Sequence, residues 1–344
     1  MNKHRSIKHN QSLKAFNTFG VDVSAQSFIT VTSTEELVAL IKEVKQQETP
    51  VLPLGGGSNI LFTKDFEGLV IKNEIAYINK VQEDEQHILL EVGGGYNWHE
   101  FVLHAVNNGW QGIENLSLIP GTVGASPIQN IGAYGVEIKD VFESLQAVAL
   151  EDGSLHTFTK ANCDFGYRNS VFKNALKGKF IISSVTFRLN KPSTYRFNTS
   201  YGAIEQTLKE KGIEKVTVKD ISDAVIAIRE SKLPDPKEVG NCGSFFKNPE
   251  IPQAQYDTLK AEYPAIPGYP TTEGMIKVPA GWLIEQCGWK GKQVGNVGTY
   301  PKQALVLINC GGASGEEAYA LALEIKASVM EKFGVSITPE VNIL

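Results

Sequence analysis

The segment Asn115–Val136, NLSLIPGTVGASPIQNIGAYGV, carries no charged residue. It is long enough to cross a bilayer, so either it does so or a water-exposed chain keeps it neutral for another purpose. Pro120, Pro127, Gly121, Gly124, Gly132, Gly135, Gln129 and Asn130 make a poor membrane helix. A long neutral segment rich in glycine suits the wrapping of a large ligand, because backbone N–H groups can approach closely where no Cβ intervenes.

A second glycine cluster stands upstream. In LPLGGGSN a short apolar strand empties into Gly55, Gly56, Gly57, Ser58 and Asn59. Successive N–H groups in such a loop form a concave nest for phosphate. The loop is neither GxGxxG nor followed by GK[ST], so a Rossmann site or P-loop is unsupported, and a plain tight turn explains the loop alone equally well. Two phosphate-compatible glycine segments, each after a strand, together point to a dinucleotide.

The chain has 344 residues, which predicts two or three domains. A hydrophobic content of 42% with 21% charge fits a soluble globular protein, and a net charge of −5 argues against non-specific nucleic-acid binding. The basic N-terminus is not followed by an apolar stretch, so no secretory signal is expected. Cys163, Cys242, Cys287 and Cys310 lack CxxC spacing and read as reduced thiols of a cytosolic protein. His99 and His104 are five apart, off one helix face, and no metal is expected.

Strands are expected at SFITVT, VLPL, GLVIKN, HILLEV, FIISSVTFRL and ALVLIN, with a hairpin turning at Asp152-Gly153. Helices are expected from Ser33 to about Lys45, from Asn97 towards Gly109, over 201–212, over 220–232 with Asp220 as N-cap, near Gly281–Cys287, and from Ser314 to Gly334. The chain closes on an extended VSITPEVNIL.

NTFGVD, LGGGSN, IPGTVGASPIQNIGAYG, FGYRNSVFK, KLPDPKEVGNCGSFFKNP, AGWLIEQCGWKGKQVG and ITPEV occur in this order over about residues 16–341. Together they closely resemble the UDP-N-acetylenolpyruvoylglucosamine reductases of peptidoglycan synthesis, and TSYGAIEQ resembles the branch with a tyrosine-bearing loop. The resemblance implies an α+β protein. It would have a pair of FAD-binding α/β subdomains of the vanillyl-alcohol-oxidase type (1–77 and 78–230) and a C-terminal substrate-binding domain (231–339), with 340–344 rejoining the first. It implies FAD, non-covalent because GGGSN contains no histidine, NADPH as reductant, and UDP-N-acetylglucosamine enolpyruvate as substrate. It also implies a cytoplasmic location without membrane insertion.

The chemistry of an enolpyruvyl ether sets the roles. Hydride addition to the terminal carbon leaves charge that must spread into the carboxylate, and the internal carbon then needs a proton. By resemblance Arg168 and Glu340 face that carboxylate and Ser244 donates the proton. Beside a carboxylate, Glu340 helps only if protonated or sharing a proton. Without the motif, Arg168 would read as a surface ion-pair residue and Glu340 as a solvated acid. Ser244 has no GxSxG context, which argues against a hydrolase nucleophile. The resemblance further assigns Tyr201, Lys232 and Asn248 to the UDP moiety. It gives the cofactor to the 55–59 loop, Pro120, Gly121, Gly124, Ala125, Ser126, Gly132, Ala133, Tyr134, Gly135 and Arg229.

Two positions depart from the family pattern. Asn342 stands where an arginine commonly reaches the diphosphate, and Cys242 where alanine is common. Cys242 is expected to be a packing residue. The competing readings are a flavin-dependent alcohol or sugar oxidoreductase of the same fold, and a non-catalytic nucleotide-sugar module. Arg168, Ser244 and Glu340 together argue against the first, and the intact glycine segments against the second.

Overall fold

Helix 34–44 shows how local pattern becomes packing. Leu37, Leu40, Ile41 and Val44 recur at helical spacing in Thr34–Val44 and bury against Ile29, Val31, Leu69 and Ile71 of the sheet beneath. Each buried aliphatic side chain contributes about 1.5–3 kcal/mol. Ser33 Oγ accepts the Glu36 N–H at 3.1 Å, as expected, but the Glu36 carboxylate returns to the N–H and hydroxyl of Thr32, one residue earlier than a capping box predicts.

A computed structural model of the chain describes residues 7–44, 49–192, 196–199 and 202–344. These fall into two compact units. One comprises the N-terminal stretch to Gln11, Ala25–Gly56 and Glu67–Ser231; the other comprises Ser12–Ser24, Gly57–Phe66 and Lys232–Leu344.

Among the described residues the first unit holds two larger sheets. One has strand order Lys8–Ser12, Ser24–Val31, Phe66–Asn73, Val51–Leu54, the last two parallel. The other is antiparallel, ordered Leu155–Thr159, Phe142–Ala149, Phe180–Asn190, His87–Gly93, Ile78–Glu83. The hairpin at Asp152-Gly153 forms, with Gly153 at φ +71°. Helix Trp98–Asn107 buries Trp98, Phe101, Val102, Ala105 and Val106 among Ile88, Leu90, Phe187 and Leu189. The buried Trp98 indole N–H finds its partner in Leu116 O at 2.9 Å.

Helices Gly202–Glu210 and Val218–Lys232 pack on each other through Ile204, Leu208, Ile221 and Val225. Asp220 is not the N-cap. The second helix starts two residues earlier, and Thr217 and Asp220 bond reciprocally: Thr217 N–H and Oγ1 donate to Asp220 Oδ2, and Asp220 N–H donates to Thr217 Oγ1. Threonine therefore caps, and the aspartate serves as the third helical residue of a capping box.

The second unit is built on a sheet ordered Asn241–Ser244, Gln303–Asn309, Val297–Tyr300, Gln293–Val294. Helices Ala280–Gln286 and Gly315–Phe333 pack on it. Ser314 and Glu317 form the expected capping box and Gly334 closes the helix at φ +62°. Helix Gln253–Glu262 has no sequence expectation behind it; only Leu259 is buried, so its apolar periodicity is too weak to read. Among the described residues no helix is long and apolar enough to cross a membrane.

Candidate active site

The neutral segment folds as turns, not as a helix. Short 3-10 turns at Glu114–Leu116 and Val123–Ala125 lead to the strands Gly132–Ala133 and Val136–Glu137. Tyr134 and Gly135, both at positive φ, form the two-residue turn between these strands. The two glycine loops meet in the first unit. A Cβ on Gly55 would lie 2.6 Å from Thr122 Oγ1, and one on Gly56 2.8 Å from Gly121 Cα. At Gly124 it would lie 2.9 Å from Gly94 O. Ligand approach is the expectation for these glycines, yet the first demand comes from the protein's own chain. In the second unit, Gly57 is required by its φ of +63° and by close contact with the Phe16 carbonyl. Ser126 is buried with its hydroxyl donated to Val123 O at 2.7 Å, whereas Pro120 and Ala125 are exposed.

Among the described residues, four of the six non-glycine residues at positive φ lie in or beside this segment: Leu118, Asn130, Tyr134 and Arg168. Such conformations cost about 1–3 kcal/mol each and persist only when the surroundings dictate them. Each is pinned. Leu118 N–H donates to His99 Nδ1 at 2.9 Å. Burial and the nearby Arg229 push the His99 pKa down, which keeps Nδ1 free to accept. Tyr134 O accepts Asn115 Nδ2 at 3.0 Å, its side chain packs beside the 202–210 and 218–232 helices, and its hydroxyl bonds Arg229. Burial lowers the Arg229 pKa, and among the described residues Arg229 Nε is buried without a hydrogen-bond partner, as is Asn115 Oδ1. An anionic or polar cofactor group over Arg229 would satisfy that nitrogen and offset its desolvation. The residues present thus fit a bound dinucleotide.

Arg168 tops a tight turn closed by reciprocal backbone bonds between Gly166 and Asn169. Its guanidinium donates to Gly132 O, and Cζ lies 5.4 Å from the Tyr167 ring centroid. A Cβ on Gly132 would come within 2.9 Å of Arg168 Nη1, so this glycine makes room for the arginine.

In the second unit, Asn241–Ser244 carries a bulge. Asn241 pairs with Ile308 and Ser244 with Val306, four residues facing three. Gly243, at φ +73° and with open space around it, absorbs the extra residue, so its role is conformational rather than one of close approach. The bulge aims Ser244 outward, exposed. Phe245 and Phe246 turn the other way and are fully buried, so they anchor the core rather than cover Ser244. Asn241, which lies within the motif KLPDPKEVGNCGSFFKNP but takes no role from it, accepts the Gly243 N–H on Oδ1 at 3.0 Å and fixes the bulge.

Ser244 and Glu340 are brought close along the chain contacts of this unit. Glu340 N–H donates to Phe245 O at 2.8 Å, Lys247 N–H to Thr338 O at 3.0 Å, and Phe246 bridges to Pro339. Asn59 joins them, its Nδ2 donating to Glu340 O at 3.5 Å. Asn342 uses both its backbone N–H, at 3.1 Å, and its Nδ2, at 3.0 Å, on Asn59 O. Asn248 Oδ1 accepts the Ala280 N–H at 2.9 Å and so caps the helix that starts there. Lys232 is exposed at its helix end. Tyr201 lies outside the described residues. Cys242 is buried, its thiol pushed up to about 12 by that burial, which suits packing. All four cysteines are free thiols, and no group of metal-ligating side chains is found among the described residues.

Residues 25–159 match the FAD binding domain model, and residues 235–344 match the model of the UDP-N-acetylenolpyruvoylglucosamine reductase C-terminal domain. The UDP-N-acetylenolpyruvoylglucosamine reductase of Flavobacterium johnsoniae is 48% identical over 98% of this chain and 99% of its own. That of Amoebophilus asiaticus is 51% identical over the same shares. Among solved structures, UDP-N-acetylenolpyruvylglucosamine reductase from Thermus caldophilus superposes with a TM-score of 0.68 at 23% identity, covering 98% of this chain and 99% of that one.

Proposed function

The chain belongs to the UDP-N-acetylenolpyruvoylglucosamine reductase family, and we propose that Arg168, Ser244 and Glu340 carry its reaction. The fold is α+β, with an FAD-binding part of the vanillyl-alcohol-oxidase type. The enzyme is an FAD-containing oxidoreductase that uses NADPH to reduce the enolpyruvyl ether of UDP-N-acetylglucosamine enolpyruvate to UDP-N-acetylmuramate, for peptidoglycan synthesis. A cytoplasmic location and non-covalent flavin belong to the same reading.

Bound FAD supplies the hydride that it takes from NADPH. The protein's own task is to bind, orient and protonate. The planar guanidinium of Arg168 is suited to hold the enolpyruvyl carboxylate and to gain strength as charge grows there. Its strained turn and the Gly132 carbonyl fix its direction before substrate arrives. Glu340 is held at its N–H by Phe245 O, the residue next to Ser244. Acid and hydroxyl therefore share one rigid backbone pair. Ser244 is aimed outward by a glycine bulge and donates the proton to the internal carbon.

The observation that carries the proposal is this shared frame of Ser244 and Glu340, built by Gly243 and the Phe246–Pro339 bridge. The test is spectroscopic. Purified protein is expected to be yellow, to bleach with NADPH, and to recolour when the enolpyruvyl substrate is added anaerobically. Bleaching of the oxidised flavin by a sugar alcohol, with recolouring by oxygen and not by the enolpyruvyl substrate, would replace the reading by an oxidase.

A further inference from the structure

Asn130 is fully buried, sits at φ +47°, and spends its whole amide inside the protein. Nδ2 donates to Glu137 Oε2 at 3.0 Å and to Gly166 O at 3.0 Å. Oδ1 accepts the Lys139 N–H at 3.1 Å. Gly166 is the base of the turn that carries Arg168, and Gly132, two residues after Asn130, supplies the carbonyl that holds the guanidinium. Ser170 adds a second tie, its hydroxyl donating to Ile128 O at 2.7 Å. The neutral segment thus grips the arginine turn at both ends and the guanidinium in the middle.

We propose that Asn130 is a positioning residue: its amide locks the Gly166–Asn169 turn so that Arg168 is presented to a substrate carboxylate. The proposal rests on the assignment of Arg168 made above. A buried amide with two donors and one acceptor all engaged is costly to replace, because each lost bond leaves a polar group unpaired. Asparagine also tolerates the left-handed conformation, so the residue satisfies two demands at once. Substitution can separate them. Asn130→Gly keeps the positive φ and removes the amide. Asn130→Asp keeps the shape but turns a donor into an acceptor facing Glu137 and the Gly166 carbonyl.

The test uses the FAD-loaded full chain and two ligands that differ in one group. UDP-N-acetylmuramate carries the carboxylate; UDP-N-acetylglucosamine lacks it. Calorimetric titration of both variants is expected to show UDP-N-acetylmuramate binding weakened about tenfold, with UDP-N-acetylglucosamine within about twofold of wild type. Reduction of the flavin by NADPH is expected at the wild-type rate. In an Arg168→Lys background the Asn130→Gly effect is expected to shrink strongly, because the two residues act as one unit. Equal weakening of both ligands, unchanged affinity for both, or full additivity with Arg168→Lys overturns the positioning role. If Arg168→Lys alone leaves the preference for the carboxylate ligand intact, the assignment of Arg168 itself falls instead. Should Asn130→Gly not fold, Asn130→Asp carries the same comparison.

Discussion

A single hydroxyl, Ser244, is the sharpest place to test the chemistry. Ser244→Ala is expected to lower turnover by about 10²–10⁴-fold, the usual worth of a general acid. Flavin bleaching by NADPH should be untouched, since that step needs no substrate proton. Stopped-flow traces in which both steps slow alike would remove Ser244 from this role. His99 gives a pH signature. Its pKa is lowered on folding, so its stabilisation is complete above the ordinary value of 6.5 and is lost as pH falls below it. The melting temperature is expected to drop between pH 7.5 and 5.5. His99→Asn, whose side-chain oxygen can still accept the Leu118 N–H, should flatten that drop; an identical drop would exclude His99 as its source. Asn342 illustrates what a departure from a family pattern can mean. Sequence comparison marks a missing arginine there, while the structure shows a side chain fastening the Asn59 carbonyl. Nothing in the residue type alone announces that bond, because its partner lies 283 positions away.

At the scale of elements, caps and periodic faces were legible and bulges were not. Ser314 with Glu317, followed by Gly334, specifies a helix end to end, since the signals lie within one turn of the ends they define. Ser314→Ala should cost about 1 kcal/mol, read as a shift in the urea midpoint at constant slope. The Thr217–Asp220 pair shows the limit of such reading: two residues able to cap stand three apart, and only backbone geometry decides which of them enters the helix. The bulge at Gly243 depends on the facing strand, which the sequence places some sixty residues on. The glycine loops belong here too. Gly56→Ala puts a Cβ 2.8 Å from Gly121 Cα, backbone against backbone, so the two loops must part. The purified variant is expected to lose flavin on gel filtration; retention of a full yellow complement would show that the loop pairing does not shape the cofactor site.

At the scale of the whole molecule, one unit is assembled from three separate stretches of chain. Phe19 is fully buried and its carbonyl accepts Asn309 Nδ2 at 2.9 Å; Asn241 N–H donates to Thr18 O at 2.9 Å. Gly315 has no side chain because the Phe62 carbonyl fills its place. The last residue is held as well, with Thr63 N–H donating to Leu344 O at 2.6 Å and Leu344 N–H to Leu61 O at 3.0 Å. A fragment of residues 232–344 alone is therefore expected to lack a cooperative melt and dispersed amide resonances, although its sequence is continuous. A well-dispersed spectrum would show that the 12–24 and 57–66 stretches are dispensable. The sequence by itself determined the α+β class, most helices and strands, the neutral glycine segment and the family, because periodicity, caps and motifs are local properties of the chain. The tertiary structure alone decided that the glycine loops pack on one another, that a bulge aims Ser244, that Asn130 grips the turn of Arg168, and that Asn342 fastens the Asn59 carbonyl. Each of these depends on which distant backbone stands opposite, and no local pattern encodes that partner.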